Sequence, residues 1–236
     1  MGNNYFNFKQ FTVSQRRSLF KVGTDGVLLG ACADVKNRKR ILDVGTGSGL
    51  IALMLAQRCD AEIVAIEPDK ESFEQASENV LKCRWAERIK VINCSLQDYQ
   101  DSGETFGLIV SNPPYFIDSL KNPDPARAKA RHNLTLDHSD ILTGAGKLLR
   151  DDGILQLIMP YTEGTVFMAQ AVRFDFFCSH ILKIRSTPTS GIRRLILTMN
   201  REKKKASEQF LTIESGKRHD FTDEYINLTR DFYLKF

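Results

Sequence analysis

Arg40-Ile-Leu-Asp-Val-Gly-Thr-Gly-Ser-Gly-Leu50 is the stretch on which the fold turns. Its apolar start has strand character, and its Leu50 end opens a helical-period segment that runs to Arg58. Between them, Asp43-x-Gly45-x-Gly47-x-Gly49 allows a tight turn and lets backbone N–H groups come close to a ligand. Amides at a helix N-terminus favour a carboxylate or a phosphate. A strand before, a helix after and an acid, Glu67, at the end of the following strand are the context that makes a glycine-rich loop a nucleotide-holding corner. Such an acid accepts hydrogen bonds from ribose hydroxyls.

Outward from that corner, strand-length apolar runs alternate with helical segments. Strands are expected at 41–44, 63–66, 90–93, 108–110, 154–159, 181–185 and 195–199. Helices are expected at 50–58, 70–82, 163–173 and from an N-cap at Ser139 to Leu149. The alternation predicts an α/β fold with a doubly wound, mostly parallel, seven-stranded sheet. The last two strands have little between them and predict an antiparallel edge hairpin. The expected organisation is one domain over 1–236: a short N-terminal helical lid or extension (1–35), a core (36–200) and a C-terminal extension (201–236). The extension at 1–35 carries its own helix at 26–34, and the tail 214–236 is expected to be a terminal helix laid on the core.

A chain of 236 residues with 42% hydrophobic and 26% charged residues can bury a core of ordinary size. No apolar stretch is long enough to span a bilayer, and the N-terminus lacks an apolar signal core, so a cytoplasmic protein is expected. Met1-Gly2 does not make a myristoylation signal, because Phe6 stands where Ser or Thr is required. Five scattered cysteines without Cys-x-x-Cys spacing and four histidines without His-x-x-x-His spacing argue against a disulfide framework and against a metal site. The net charge is only +4, but the basic residues cluster. One group is Lys36, Arg38, Lys39 and Arg40; another is Lys121, Arg127, Lys129 and Arg131. A third is Lys183, Arg185, Arg193 and Arg194, and a fourth is Arg201, Lys203, Lys204 and Lys205. Local patches under a mild global charge suit a protein that binds a polyanion on one face. The fourth group reads as a solvated hairpin tip. Lys121, Arg127, Lys129, Arg131, Arg193 and Arg194 are the expected contacts to that polyanion.

A second signature, Asn112-Pro113-Pro114-Tyr115, follows the apolar run at 106–111. Two prolines in series rigidify a turn and expose the preceding carbonyls. An exocyclic amino group has its lone pair delocalised into a ring and attacks poorly. The Asn112 side-chain oxygen and the Pro113 carbonyl can accept its two N–H hydrogens and localise that pair, while Tyr115 stacks on the base. These four residues are the expected catalytic turn.

The glycine loop fits neither a dinucleotide fingerprint, since Leu50 stands where a third glycine is needed, nor a triphosphate loop. It resembles the S-adenosylmethionine loop of the Rossmann-like methyltransferases. Phe6-Asn-Phe-Lys-Gln-Phe-Thr-Val-Ser14, Lys21-Val-Gly-Thr-Asp-Gly-Val-Leu-Leu-Gly30 and Arg127-Ala-Lys-Ala-Arg-His132 carry the likeness further. With Asn-Pro-Pro-Tyr, the chain resembles the bacterial tRNA (adenine-N6)-methyltransferases that act on a valine tRNA at the adenine 3′ of the anticodon. That resemblance implies methyl transfer to N6 of an adenine in tRNA. It implies a cofactor site of Lys21, Thr24, Asp25, Asp43, Gly45, Thr46, Gly47, Gly49, Glu67, Pro68, Ser95, Leu96 and Asn112. Ser95 departs from the Asp common in the class, and Asp98 is an alternative contact to adenine. A monomer without metal is expected. The rivals are methyl transfer to a release-factor glutamine, to guanine in ribosomal RNA or to DNA adenine, a non-catalytic RNA-binding module on the same fold, and a dehydrogenase.

Overall fold

The computed structural model describes residues 3–114 and 136–236. Tyr115, Lys121, Arg127, Lys129 and Arg131 lie outside the described residues. Strands β3 (Arg40–Val44), β4 (Glu62–Ile66), β5 (Ile89–Ile92), β6 (Phe106–Ser111), β7 (Leu149–Pro160), β8 (Phe177–Arg185), β9 (Ile192–Asn200) and β10 (Ser207–Thr212) form one sheet. Its order is β10-β8-β9-β7-β6-β3-β4-β5, and only β9 runs against its neighbours. Strands buried on both faces read as near-continuous apolar runs. Alternate residues of β3 accordingly enter opposite cores, Ile41 on one side and Leu42 on the other. Helices α1 (Thr24–Cys32) and α2 (Leu50–Arg58) contribute to the first core, and α5 (His138–Leu148) and α6 (Tyr161–Ala171) to the second. Helix α3 (Lys70–Leu81) joins the first core through Val80, and the one-turn α4 (Leu96–Tyr99) joins the second.

The doubly wound sheet and its antiparallel hairpin are as expected, with eight strands where the sequence leads to seven. The extra strand, β10, lies in the stretch read as an extension. Its burial is mostly exposed, so it lacks the apolar alternation by which strands are recognised. It pairs parallel to β8, so β8 is not an edge. Residues 201–206, which carry the fourth basic group, are thus a crossover past the start of β8 and not a hairpin tip. The helix read as capped by Ser139 is capped by Asp137 instead, in a reciprocal capping box with Asp140. The Ser139 hydroxyl donates to Asp137 Oδ1 at 2.7 Å.

The N-terminal region is not a detached piece. Strands β1 (Tyr5–Asn7) and β2 (Thr12–Ser14) form a hairpin. Lys9 N donates to the Phe232 carbonyl at 2.8 Å, and Phe8 bridges to Tyr233. Lys9 Nζ donates to the Arg230 carbonyl at 2.6 Å, across 221 positions of sequence. The tail helix α7 (Asp223–Thr229) buries Tyr225 in the first core, and Phe232 follows it there. Among the described residues no helix is long and apolar enough to cross a membrane.

The contact of α1 with α2 depends on a missing side chain. A Cβ on Gly30 would lie 2.7 Å from Met54 Sδ and 2.9 Å from Met54 Cβ. Met54 is fully buried and has no room to retreat. Gly30→Ala is therefore expected to cost about 1–3 kcal/mol, the usual penalty of overpacking. Met54→Ala in the same chain should return part of it. Thermal unfolding checks this, and an unchanged midpoint in Gly30→Ala would mean that the helices separate freely.

Candidate active site

The carboxyl ends of β3, β4 and β6 place the sequence signatures side by side. Val44 pairs with Ser111, so Gly45 and Asn112 are the next residues on neighbouring strands, about one strand spacing of 4.8 Å apart. The Ser111 hydroxyl donates to the Val44 carbonyl at 2.9 Å and ties the two turns together. Pro113 is buried, and Asn112 and Pro114 are half-buried.

The glycine loop needs its glycines for backbone reasons. Gly45, Gly47 and Gly49 have φ of 71°, 58° and 83°, in the left-handed region that side chains disfavour. Gly45 N and Thr46 N both donate to the Ile66 carbonyl, at 3.0 and 3.1 Å. Gly49 caps α2. Asp43 supports the loop from below and is 0% exposed. Its Oδ2 accepts from Thr46 Oγ1 at 2.6 Å and from Ala52 N at 3.1 Å. Its Oδ1 is buried without a hydrogen-bond partner among the described residues. Burial pushes the Asp43 carboxyl up to about 7, against the pull of its bonds to Thr46 and Ala52.

Glu67, 7% exposed, closes the other side. Its Oε2 accepts from Gly47 N at 2.8 Å and its Oε1 from Asp69 N at 3.0 Å. Burial raises its carboxyl as well. The loop is thus floored by two buried carboxylates, an arrangement that favours a cationic ligand. Sequence reading missed Asn93, whose amide donates to the carbonyls of Glu67 and Pro68 at 2.8 and 3.1 Å and fixes that turn. An Asn at a strand end carries no signal distinguishing this task from an ordinary loop position.

Ser95 and Asp98 satisfy each other. Ser95 caps α4, with its Oγ accepting from Asp98 N at 3.1 Å and donating to Asp98 Oδ2 at 2.6 Å. Leu96 is 4% exposed, and its side chain is packed into the second core against Gly144.

The segment 15–22 passes over the glycine loop. The amides of Arg16 and Leu19 donate to Gln75 Oε1 and Ser72 Oγ at 3.1 and 3.3 Å, and Ser18 lies over Gly47. Lys21 and Thr24 are exposed at its end. Asp25, in the first turn of α1, accepts from Arg194 Nε at 2.8 Å. Gly26 meets Leu50 at the start of α2, which brings this corner to the glycine loop. Arg194 was expected on the RNA face. It ties the first turn of α1 to the start of β9, and Arg193 beside it is exposed. The fourth basic group and the Lys36–Arg40 group lie at the opposite edge of the sheet, beyond the end of β9 and before β3. Among the described residues no three His, Cys, Asp or Glu side chains gather as a metal site.

Residues 19–170 match the model of the Methyltransferase small domain family. The chain is 46% identical over 236 residues to the tRNA1(Val) (adenine(37)-N6)-methyltransferase of Phocaeicola vulgatus, covering 99% of each chain. It is 45% identical over 240 residues to the protein of the same name from Trichodesmium erythraeum, covering 100% of each. Among solved structures, a predicted O-methyltransferase from Agrobacterium tumefaciens superposes with a TM-score of 0.66 at 22% identity, over 88% of this chain and 96% of that one, a likeness of fold. The chain belongs to the family of the tRNA1(Val) (adenine(37)-N6)-methyltransferases.

Proposed function

We propose that the protein transfers a methyl group from S-adenosylmethionine to N6 of an adenine in tRNA, the adenine 3′ of the anticodon in a valine tRNA. The observation that carries this reading is the register of Val44 with Ser111, which puts a glycine loop and an amide-proline turn on adjacent strand ends. The names of the full-length relatives supply the substrate.

The residues present fit the cofactor. S-adenosylmethionine supplies a methyl group on a cationic sulfonium, beside an ammonium group. Two buried carboxyls whose ionisation burial opposes, one with an oxygen that has no hydrogen-bond partner among the described residues, suit positive charge on the ligand. Asp43, Gly45, Thr46, Gly47 and Gly49 would hold its amino-acid end, with Lys21, Thr24 and Asp25 beside them. Glu67 and Pro68 would hold its ribose, and Ser95, Leu96 and Asp98 would border its adenine. Asn112 and the Pro113 carbonyl accept the N–H hydrogens of the target amino group and aim the nitrogen lone pair. Tyr115 stacks on the flipped base, whose release from its neighbours is cheapest in a loop. After transfer the nitrogen is strongly acidic, and its proton leaves through Asn112 or water.

Labelled S-adenosylmethionine incubated with bulk unmodified tRNA, followed by nucleoside digestion and mass analysis, tests the reading. N6-methyladenosine is the expected product. Absence of any labelled nucleoside from protein that still binds the cofactor would overturn it and direct the same assay to release factor and ribosomal RNA.

A further inference from the structure

We propose that the turn at residues 215–220 is a second RNA-docking element, which grips phosphates of the substrate away from the methylated base. The inference rests on the tRNA reading above.

The turn lies at the same sheet edge as the active site. Ile213 N and Glu214 N donate to the carbonyls of Arg185 and Ser186 at 3.1 and 2.8 Å, which pins the chain after β10 to the end of β8. Arg193, exposed at the start of β9, stands at that same edge. The turn is built rigidly. Glu214 bridges to Phe221, Ser215 N donates to the Asp220 carbonyl at 2.8 Å, and Asp220 N returns to the Lys217 carbonyl at 3.1 Å. His219 adopts a left-handed φ of 66°.

The charges in it are sorted. Glu214 Oε1 accepts from His219 N at 2.8 Å, and the Asp220 carboxylate accepts from the Ser215 hydroxyl. Both acids are therefore engaged inside the turn. Lys217 and Arg218 are exposed and make no ion pair among the described residues. A preorganised loop whose acids are held by its own hydrogen bonds, and whose exposed cations make no ion pair among the described residues, offers two phosphate contacts at small entropic cost.

Its distance from the chemistry assigns the contact. From β6, which leads into Asn112, to β10 is four strand positions, or about 20 Å at about 4.8 Å each. That separation is on the scale of a nucleic-acid helix, not of one nucleotide. Lys217 and Arg218 therefore meet the backbone of the stem that presents the loop, and position the RNA without reading its sequence.

The test compares the wild-type protein, Lys217→Ala/Arg218→Ala and Lys203→Ala/Lys205→Ala on an unmodified valine tRNA transcript. The last pair makes the same charge change at the opposite sheet edge. Affinity is measured between about 50 and 200 mM salt, together with kcat, KM and S-adenosylmethionine binding. Lys217→Ala/Arg218→Ala is expected to weaken tRNA binding roughly tenfold and to lower the slope of log affinity against log salt by about two. Its KM for tRNA should rise while kcat and cofactor affinity stay within about twofold, since phosphate contacts position and do not react. The control pair should match wild type. Unchanged tRNA affinity and slope in Lys217→Ala/Arg218→Ala, with wild type methylating the transcript, would overturn the inference alone. So would equal losses in both pairs, which would mark a bulk charge effect. Wild-type protein that neither binds nor methylates tRNA would instead overturn the functional reading, and this inference with it.

Discussion

Asn112→Ala is expected to lower the single-turnover rate of methyl transfer to tRNA by about 10²–10³, the usual loss when one aimed polar group is removed from a reacting centre. The reason lies in what an alanine leaves behind. Ser111 still ties the turn to Val44, and Pro113 and Pro114 still fix its backbone, so the Pro113 carbonyl stays in place. One of two acceptors for the amino hydrogens is gone, and with it half of the means of localising the nitrogen lone pair. The loss should fall on kcat more than on the KM for tRNA, because the amino group gains most from that contact as the nitrogen becomes tetrahedral. Asn112→Asp keeps an acceptor oxygen and should retain more activity than alanine. A rate within about threefold of wild type in Asn112→Ala would remove the turn from the chemistry.

Asp43→Asn is expected to change the dependence of stability on pH. Burial lifts the folded-state carboxyl to about 7 from an ordinary 3.8. Over that interval the folded protein holds a proton that the unfolded chain has released. The stability contributed by this group is full below 3.8, and is lost as pH rises through about 7. The gap corresponds to at most about 4 kcal/mol. Asparagine does not titrate, so the stability of Asp43→Asn relative to wild type should climb from pH of about 4 to about 7 and then level off. The amide keeps an oxygen for Thr46 and Ala52, and any fixed cost of its buried N–H donors moves the whole curve without altering its slope. Denaturant unfolding of both proteins across that range checks it. A flat difference would show that Asp43 titrates as an exposed carboxyl does.

The parts of this molecule legible in the sequence are those written in backbone chemistry. Three glycines in the left-handed region and two consecutive prolines announce their turns because few other residues serve there. Apolar runs announced the inner strands, since strands covered on both faces must be apolar. What stayed hidden was written in pairings between distant residues. β10 is exposed along most of its length and is a strand only because β8 offers it an edge. Arg194 reads in sequence as one more cation in a basic cluster, and its ion pair with Asp25, far away in the chain, is a pairing that no local pattern announces. Ser95 and Asp98 could not be told apart as candidate contacts because the relevant fact is the bond between them. Asp137 and Ser139 both suit a helix start, and the choice fell to the residue that could complete a capping box.

The lacing of the first hairpin to the last residues bears on how the protein is made. A growing chain that has reached Asn200 already contains both signatures and every strand but β10. It still lacks the carbonyls of Arg230 and Phe232 to which Lys9 bonds. Segment 15–22, which passes over the glycine loop, continues directly from that hairpin. Contacts so far apart in sequence form late, because the closure of a long loop must precede them. The hairpin that leads into the cover of the glycine loop is therefore anchored only once residues 230–232 have been made, and a nascent chain that stops at Asn200 holds most of the sheet with that corner not yet fastened.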